Sequence, residues 1–415
     1  MISTSSEKGS PSEQGKIKWR CTMKKMKKFV AMFMVAAMAL SMVACGGKET
    51  EKGGEDTIKI GYISDLTGST NIWGQAGLNG AMLAVEDVNA AGGVLGKKIE
   101  VVPMDGKGDA ADSVSAFKKL VEEHGIVASV GTNFSSCNIP MAAVADEVKV
   151  PILGTATSNE LVTIDENGKL HPYSFRMCFI DSFQGEVLGS YAASELGFKK
   201  AALLTVAGNT YSEGVGAYIE ESFKKAGGEV VAVEQCQDAD TDFRAQLSNI
   251  AAKNPDVLFI VMTDYAKIAL TAQQAREQGM TCTFMGTDGW DSGELAAAAK
   301  GALEGSYYLF RIGFNSDEAA AFGERYKEEY KIALEGECLF GYDGVMWVVD
   351  AIKRANSADP VAVRDALEAT DTFKGLIGTL IMNAETHNPA MDCAIYTCKN
   401  DAFEFYEIIE YSSLQ

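Results

Sequence analysis

Hydroxyl side chains are concentrated in two loops of this sequence, each of which follows a short apolar run. The apolar runs lie at 126–130 and 150–153, and the hydroxyl residues after them are Ser135, Ser136, Thr155 and Thr157. Such runs are typical of buried parallel strands, whose carboxyl ends meet at one edge of a sheet, where ligands collect. Together with the free N–H groups at a helix start, these hydroxyls predict an anion-binding crevice. The same residue types also cap helices and form turns in loops that bind nothing.

The elements that would position these loops alternate regularly from residue 57 onward. Short β-branched runs, such as 58–63 and 99–104, are followed by amphipathic stretches of helical length, such as 75–91. A second series of the same kind starts at residue 201 and reaches residue 312. Strands that alternate with helices in this way predict parallel sheets covered by helices. At 415 residues the chain is also too long for one ordinary core, so we expect two α/β lobes.

The C-terminal part of the chain continues neither series. Long helical stretches at 318–332 and 339–355 precede short alternating strand patterns at 374–410. We interpret this part as chain that crosses back to complete both lobes, because Pro and Gly are too scattered to mark a single linker. The expected division is 57–178 plus about 313–375 for the first lobe, and 179–312 plus about 376–415 for the second.

The N-terminal residues predict a targeting segment. The sequence MKKMKK at 23–28 is basic, and the apolar run at 29–44 is too short to span a membrane. Cys45 follows directly, and 46–56 continues from it as a flexible tether. The arrangement resembles a bacterial lipoprotein signal, in which 23–44 is removed and Cys45 is lipidated; a plain secretory signal is the alternative. Residues 1–22 are polar and unpatterned, so we expect a misassigned start codon and a true start at Met23.

Charge and motif content argue against several classes of function. The formal net charge is −20, and the first 44 residues carry more basic than acidic groups, so the remainder is more acidic still and repels nucleic acid. The three histidines, His124, His171 and His387, are isolated, and the sequence contains no HExxH, CxxC or GxSxG pattern. We therefore expect a protein without a metal, a cofactor or a catalytic site.

Six stretches of the sequence, taken in order, carry a resemblance to a known family. They are IKIGYISDLTG (58–68), GLNGAMLAVEDVNAAGGVLGKKIE (77–100), GTNFSSCNIP (131–140), TYSEG (210–214), DFRAQLSNI (242–250) and QAREQGMTCTFMGTDGW (274–290). The chain from about residue 57 onward resembles the periplasmic leucine/isoleucine/valine-binding proteins, which are type I solute-binding proteins of ABC importers. The resemblance implies two Rossmann-like lobes, joined by three hinge crossings, that close on an amino acid. It also implies delivery of the ligand to ABC permease subunits. Together with the lipoprotein pattern at Cys45, it leads us to expect a monomer on the outer face of the cell membrane, held there only by its lipid anchor.

The resemblance also assigns roles to individual residues. The positions that match Ser135 and Thr157, with backbone near Thr155, hold the α-carboxylate of the ligand in the family. The position of Asp288 holds an acidic partner for the α-ammonium group. Two aromatic residues near the ligand match Trp73 and Tyr211.

Two departures from the family pattern bear on the ligand. Asp264 stands where the branched-chain binders often have Tyr, so a second carboxylate in the cleft would favour a polar or cationic ligand end. Phe134 replaces a Cys that forms a disulfide in some members, so that bridge is absent here. Branched-chain specificity is therefore open, and a receptor for an amide, urea or an aromatic acid is an alternative on the same fold. A ligand-sensing ectodomain of a signalling system is the alternative from another class.

Overall fold

The computed structural model describes residues 57–68, 70–311, 316–332 and 334–411. The predicted N-terminal extension (1–22), signal peptide (23–44), Cys45 and the tether to residue 56 lie outside these described residues. Within them, no helix is both long enough and apolar enough to cross a lipid bilayer. The seven cysteines of the described part, at positions 137, 178, 236, 282, 338, 393 and 398, are free.

The first lobe is built on a five-stranded parallel sheet. Its strands are β1 (Ile58–Ser64), β2 (Ile99–Asp105), β3 (Ala128–Gly131), β4 (Ile152–Gly154) and β5 (Ser174–Arg176), in the spatial order β2-β1-β3-β4-β5. The helices between them are α1 (Asn71–Ala90), α2 (Ala110–Lys119) and α3 (Ser135–Val148). The Asp109 carboxylate caps α2 by accepting from the N–H groups of Ala111 and Asp112 at 2.8 and 2.9 Å. Because helices cover both faces, the strands are buried, as their unbroken apolar runs predict.

The second lobe repeats this plan. Its strands are β6 (Lys200–Val206), β7 (Glu229–Cys236), β8 (Val257–Ile260), β9 (Thr283–Gly286) and β10 (Tyr307–Phe310), which run parallel. Its helices are α4 (Asp181–Ser194), α5 (Thr210–Lys225), α6 (Arg244–Ala251), α7 (Tyr265–Glu277) and α8 (Leu295–Ala298). A 3₁₀ turn at Asp288–Trp290 follows β9 directly. The loops before α5 and α7 follow β6 and β8, so they lie at the carboxyl ends of these parallel strands.

The chain then returns to the first lobe with α9 (Asp317–Tyr330), α10 (Gly336–Ala355) and α11 (Pro360–Glu368). Arg325 on α9 pairs with Asp87 on α1 at 2.7 Å, and α10 packs along α1. A small antiparallel sheet follows, made of β11 (Thr372–Gly375), β12 (Gly378–Asn383) and β13 (Asn388–Ala390). His387, next to this sheet, stacks on Phe175 of β5 with 4.1 Å between ring centroids.

Only the last two strands return to the second lobe. They are β14 (Cys393–Lys399) and β15 (Ala402–Ile409), which extend the second sheet antiparallel in the order β15-β14-β10-β9-β8-β6-β7. The predicted boundary at about residue 376 falls inside the small sheet, whose contacts lie with the first lobe. The return therefore comes near residue 391, because β12 pairs with β11 and β13 and not with the second sheet.

Three stretches lead from one lobe to the other: between β5 and α4, between β10 and α9, and between β13 and β14. The predicted fold class, two α/β lobes joined by three crossings, is thus confirmed. Residues that follow β3 and β4 line one cavity together with residues that follow β6, β8 and β9, so the carboxyl ends of these strands face each other across a cleft.

Candidate ligand-binding site

A cavity of about 290 Å³ lies in the cleft between the two lobes. Its first-lobe wall consists of Trp73, Asn133, Phe134, Ser135, Ser136 and Ala156. Its second-lobe wall consists of Val206, Ala207, Gly208, Asn209, Thr210, Tyr211, Asp238, Thr263, Asp288, Gly289 and Arg311. This volume lies just below the range of roughly 300–1,000 Å³ for ligand pockets. The cavity therefore suits a metabolite of a few heavy atoms more than a nucleotide or a peptide.

Ser135 and Ser136 form one end of the cavity, which we call the serine end. They are the first two residues of α3, and Phe134 before them has an extended backbone. No side chain among the described residues caps this helix. The N–H groups of Cys137 and Asn138 donate to the Phe134 carbonyl at 3.1 Å each, so those of Ser135 and Ser136 remain for a ligand. The Ser135 hydroxyl accepts from the backbone N–H of Asn159 at 3.1 Å and keeps its own proton to donate. The serine end thus presents N–H and O–H donors, a combination that suits an anion.

Thr155 and Thr157 lie behind the cavity wall, and only Ala156 between them reaches the cavity. Thr155 donates from its N–H and its hydroxyl to the Thr132 carbonyl, at 3.2 and 3.3 Å. The Thr157 hydroxyl accepts from Asn138 Nδ2 at 3.3 Å. Both side chains are fully buried, and they join the loop after β4 to the loop after β3. Their hydrogen bonds therefore hold these two loops together beside the serine end.

Asp288 is the centre of the opposite end of the cavity, which we call the aspartate end. Tyr211 and Arg311 line the cavity beside Asp288, and Gln184 lies behind them. Its Oδ1 accepts from Gln184 Nε2 at 2.9 Å and from the Tyr211 hydroxyl at 2.5 Å. Its Oδ2 lies 3.3 Å from Arg311 Nε. Burial, and then the Asp288 charge, raise the pKa of Tyr211, so the phenol stays protonated and donates. These three partners hold the Asp288 side chain in one position inside the cleft.

Arg311 is a site residue that the sequence reasoning did not single out. It follows β10, is only 4% exposed, and donates from Nη1 to the Thr155 carbonyl at 2.9 Å. Its Nη2 lies 3.3 Å from Glu337. Burial lowers the pKa of Arg311, but the carboxylates of Glu337 and Asp288 outweigh burial and raise it. A lone Arg at the end of the apolar run SYYLF, in a strongly acidic chain, was the available signal.

Trp73 lines the cavity and also ties the two lobes together. Its indole Nε1 donates to the carbonyl of Asp291, in the second lobe, at 2.8 Å. The Asp291 carboxylate in turn accepts from the N–H of Gly336 at 3.0 Å, and Glu335 accepts from the N–H of Gly293 at 3.2 Å. Burial, partly offset by Arg311, raises the pKa of Asp291 to about 7; burial and the Asp291 charge raise that of Glu335 to about 8.

Asp264 lies outside the cavity. It caps α7 by accepting from the N–H groups of Ala266 and Lys267 at 3.0 and 3.1 Å, and it pairs with Lys267 Nζ at 3.4 Å. It lines a narrow recess that adjoins the cavity beside Asp238. The second carboxylate on the cavity wall is therefore Asp238, whereas the Asp264 carboxylate caps the N-terminus of α7.

The structure thus joins Trp73, Ser135, Ser136, Tyr211 and Asp288 around one cavity, and it leaves Thr155, Thr157 and Asp264 beside it. The arrangement opposes an anion site to a buried carboxylate across a small space. No group of three or more His, Cys, Asp or Glu residues in the described part of the chain is placed to hold a metal ion. A cavity of this kind binds a small ligand by charge and hydrogen bonds.

Comparison with known proteins identifies the class. Residues 57–402 match the family model described as "Periplasmic binding protein", and the chain belongs to this family. Its relatives are solute-binding proteins and not enzymes.

Individual relatives narrow the similarity further. The chain is 29% identical, over 90% of its length and 95% of the relative's, to the leucine-, isoleucine-, valine-, threonine- and alanine-binding protein of Pseudomonas aeruginosa. It is similar to a leucine-binding protein of Thermotoga maritima, at 30% identity and a TM-score of 0.78, over 86% of this chain and 99% of that one. It is similar to the same degree (30% and 0.78, over 85% and 99%) to a branched-chain amino acid transporter substrate-binding protein of Streptococcus pneumoniae in complex with isoleucine.

Proposed function

We propose that this protein is the extracytoplasmic receptor of an ABC importer and binds an amino acid of the branched-chain type or a related one. The observation that carries the proposal is the opposition of the serine end to the aspartate end in one small cavity. An α-amino acid has a carboxylate and an ammonium group on the same carbon. The N–H and O–H donors at Ser135 and Ser136 suit the carboxylate, and Asp288 suits the ammonium group.

The charges around Asp288 support an ammonium ligand. Arg311 faces two carboxyl groups, those of Asp288 and Glu337, each at 3.3 Å. Arg311 divides its guanidinium between these two carboxyl groups, so a ligand ammonium group would add a second cation beside Asp288. Charge-assisted hydrogen bonds of this kind contribute roughly 1.5–3 kcal/mol each. The ligand would then lie with its side chain between Trp73 and Tyr211.

Ligand binding favours the closed form, because contacts from both lobes to one small molecule exist only there. Trp73 illustrates the coupling, since it lines the cavity and bonds to Asp291 across the cleft. The closed form is what the permease subunits recognise. In this proposal the protein acts as a monomer, secreted through the signal at 23–44 and held on the outer membrane face by a lipid on Cys45, with 46–56 as its tether.

The test is a titration of residues 46–415 against all amino acids, together with amides, urea and aromatic acids, by thermal shift and calorimetry. A ligand at 100 times its Kd stabilises the protein by about 2.7 kcal/mol, which a thermal shift detects. We expect binding of at least one L-amino acid, and Asp288→Asn to weaken it by about tenfold to a hundredfold, as loss of a charged bond predicts.

Asp264→Asn is the matched control, because it removes a neighbouring carboxylate outside the cavity. It should leave the affinity within about threefold of that of the unmodified protein, the range of small surface effects. Binding only of ligands without an α-ammonium group would contradict the proposal. In that case Arg311 would be the partner of a ligand carboxylate between Trp73 and Phe134, as in an aromatic-acid receptor.

A further inference from the structure

Two carboxyl groups, which we call the carboxyl pair, lie in the contact between the lobes beside the cavity. Asp291 belongs to the second lobe and follows the 3₁₀ turn after β9, whereas Glu335 belongs to the first lobe and directly precedes α10. The Asp291 carboxylate accepts from the N–H of Gly336, and the Glu335 carboxylate accepts from the N–H of Gly293. Each carboxyl group is therefore bonded to a backbone N–H beside the other one, and both bonds run from lobe to lobe.

The carboxyl pair is closely packed. Asp291 is 7% exposed and Glu335 is 5% exposed. A Cβ on Gly336 would lie 2.5 Å from Asp291 Oδ2, so only glycine allows the loop before α10 to approach this closely. Trp73, which lines the cavity from the first lobe, donates to the Asp291 carbonyl. Because all these contacts join one lobe to the other, the pair is assembled when the cleft closes and is taken apart when it opens.

The charges around the carboxyl pair do little to compensate for its burial. Arg311 attracts the Asp291 carboxylate, but it also faces two other carboxyl groups at 3.3 Å each. Glu335 lies near the Asp291 charge itself. The other charged groups that act on the pair are acidic: Asp288, Glu294 and Glu337. Burial raises the pKa of the tyrosines that face it, so these stay neutral: Tyr265, Tyr308 and Tyr326. A proton on either carboxyl group relieves the repulsion between them.

We propose that closure of the lobes on a ligand takes up protons at Asp291 and Glu335, so that the affinity for the ligand falls as the pH rises. The inference rests on the proposed function and adds a regulation to it. In the open cleft, water reaches both groups, and each has an ordinary carboxyl pKa of about 4. In the closed cleft, mainly because of burial, the pKa is about 7 for Asp291 and about 8 for Glu335.

The sign of the effect follows from this difference. A carboxyl group whose pKa is raised by closure holds its proton more tightly in the closed form than in the open form. Its contribution to closure is complete below a pH of about 4 and is lost as the pH rises toward 8. The same protons stabilise the closed protein against unfolding. The ligand is therefore bound more tightly in mildly acidic surroundings than in alkaline ones.

Calorimetry in buffers of different ionisation enthalpy counts the protons taken up when a ligand binds. The probe is L-isoleucine on residues 46–415 or, if it does not bind, the L-amino acid that binds most tightly in the screen described above. At pH 6.5 we expect an uptake of about one to two protons, and a smaller uptake at pH 8.5. The Kd should rise at least about tenfold between pH 6 and 8.

Glu335→Gln and Asp291→Asn each remove one titrating group and keep an oxygen that accepts from the same N–H. Each should lower the uptake at pH 6.5, and the double variant should lower it by about one proton or more. The rise of the Kd with pH should become correspondingly smaller. Titration of the ligand itself is the same for all variants, so it cancels in the comparison.

Asp343→Asn is the matched control. Burial also raises the pKa of Asp343, to about 6, but its carboxylate accepts from the N–H of Ile377 within the first lobe. Closure does not change these surroundings, so the control should take up as many protons as the unmodified protein. The fold of every variant is checked by its unfolding temperature without ligand, and if the double variant does not fold, the two single variants decide.

The outcomes that would overturn the inference are distinguishable. Binding of an amino acid without proton uptake at pH 6.5 would reject it and leave the amino-acid receptor standing. An uptake that persists unchanged in the variants of Asp291 and Glu335 would place the protons on other groups. An equal decrease in Asp343→Asn would show that the effect does not belong to the contact between the lobes. Binding of no amino acid at all would reject the inference together with the proposed function.

Discussion

The serine end and the aspartate end of the cavity are built in different ways. The serine end consists of neighbours in the chain, Ser135 and Ser136, and its donors are largely backbone groups at the start of α3. The aspartate end joins side chains that are far apart in the sequence: Gln184 precedes Asp288 by 104 positions, and Tyr211 precedes it by 77. One end is a property of a local motif, and the other is a property of the folded second lobe. We therefore expect mutations to be costly for the fold at the aspartate end and mild at the serine end.

The largest effect is expected for Arg311→Met. The substitution leaves Asp288 and Glu337 buried without their cation, which costs about 3–5 kcal/mol of unfolding free energy. Urea denaturation without ligand measures this loss. The matched control is Arg325→Met, because Arg325 also faces two carboxylates but is 39% exposed, so its loss should be about 1 kcal/mol or less. Equal losses in the two variants would show that the aspartate end is no more demanding than the surface.

The pH dependence of stability tests two buried carboxyl groups, Asp291 and Glu335, which lie after Asp288 in the sequence. Asp291 and Glu335 have pKa values raised to about 7 and about 8, mainly by burial. A raised carboxyl pKa means that the folded protein holds the proton more tightly than the unfolded chain. The stabilisation is therefore complete below the ordinary carboxyl pKa of about 4 and is lost as the pH rises toward 8.

Glu335→Gln isolates this effect, because the amide oxygen still accepts from the N–H of Gly293 but does not titrate. We expect the unfolding free energy of the unmodified protein, relative to that of the variant, to fall between pH 5 and about 8 and to be level above. Urea denaturation at a series of pH values measures the difference. A constant difference over this range would mean that Glu335 titrates as an exposed carboxyl group does.

Trp73→Phe tests a contact between the two lobes, because the Trp73 indole donates across the cleft to the Asp291 carbonyl. Phe keeps an aromatic wall but leaves this buried carbonyl without its donor in the closed form, which costs about 1–3 kcal/mol. We expect a roughly tenfold weaker affinity for the bound amino acid with little change in the ligand-free unfolding temperature. An unchanged affinity would show that this bond does not contribute to closure.

The same contrast explains what the sequence could predict. The α/β alternation from residue 57 predicts both sheets, because each strand and helix is specified by its own residues. Two helices escape such reasoning: Asp181–Ser194, which is buried on most sides and lacks one clear apolar stripe, and the short helix Pro360–Glu368. The predicted boundary at about residue 376 divides the small sheet at 372–390, because a strand pattern does not say which sheet it joins.

Site residues are likewise predictable from the sequence only where their surroundings are local in the chain. Ser135 and Ser136 are predictable because a strand, a loop and a helix start occur consecutively in the chain. Arg311 is not, because its partners Asp288 and Glu337 meet it only after the sheet order brings the end of β10 beside the end of β9 and the start of α10. Asp264 was predicted to line the site, but its carboxylate caps a helix. An acidic residue after an apolar run can be either a ligand-binding residue or a helix N-cap, and the sequence alone does not distinguish the two roles.

The smallest effect is expected at the serine end, where Ser135→Ala and Ser135→Pro form a matched pair. Both remove the hydroxyl that accepts from Asn159, but only Pro also removes the backbone N–H. Pro is tolerated as the first residue of a helix, and the extended backbone of Phe134 suits a following Pro. The Pro variant should therefore fold like the Ala variant yet bind the amino acid about threefold to tenfold more weakly, a net 0.5–1.5 kcal/mol. Calorimetry on the two variants decides the point: because both lack the Ser135 hydroxyl, equal affinities would mean that the Ser135 N–H does not hold the ligand carboxylate.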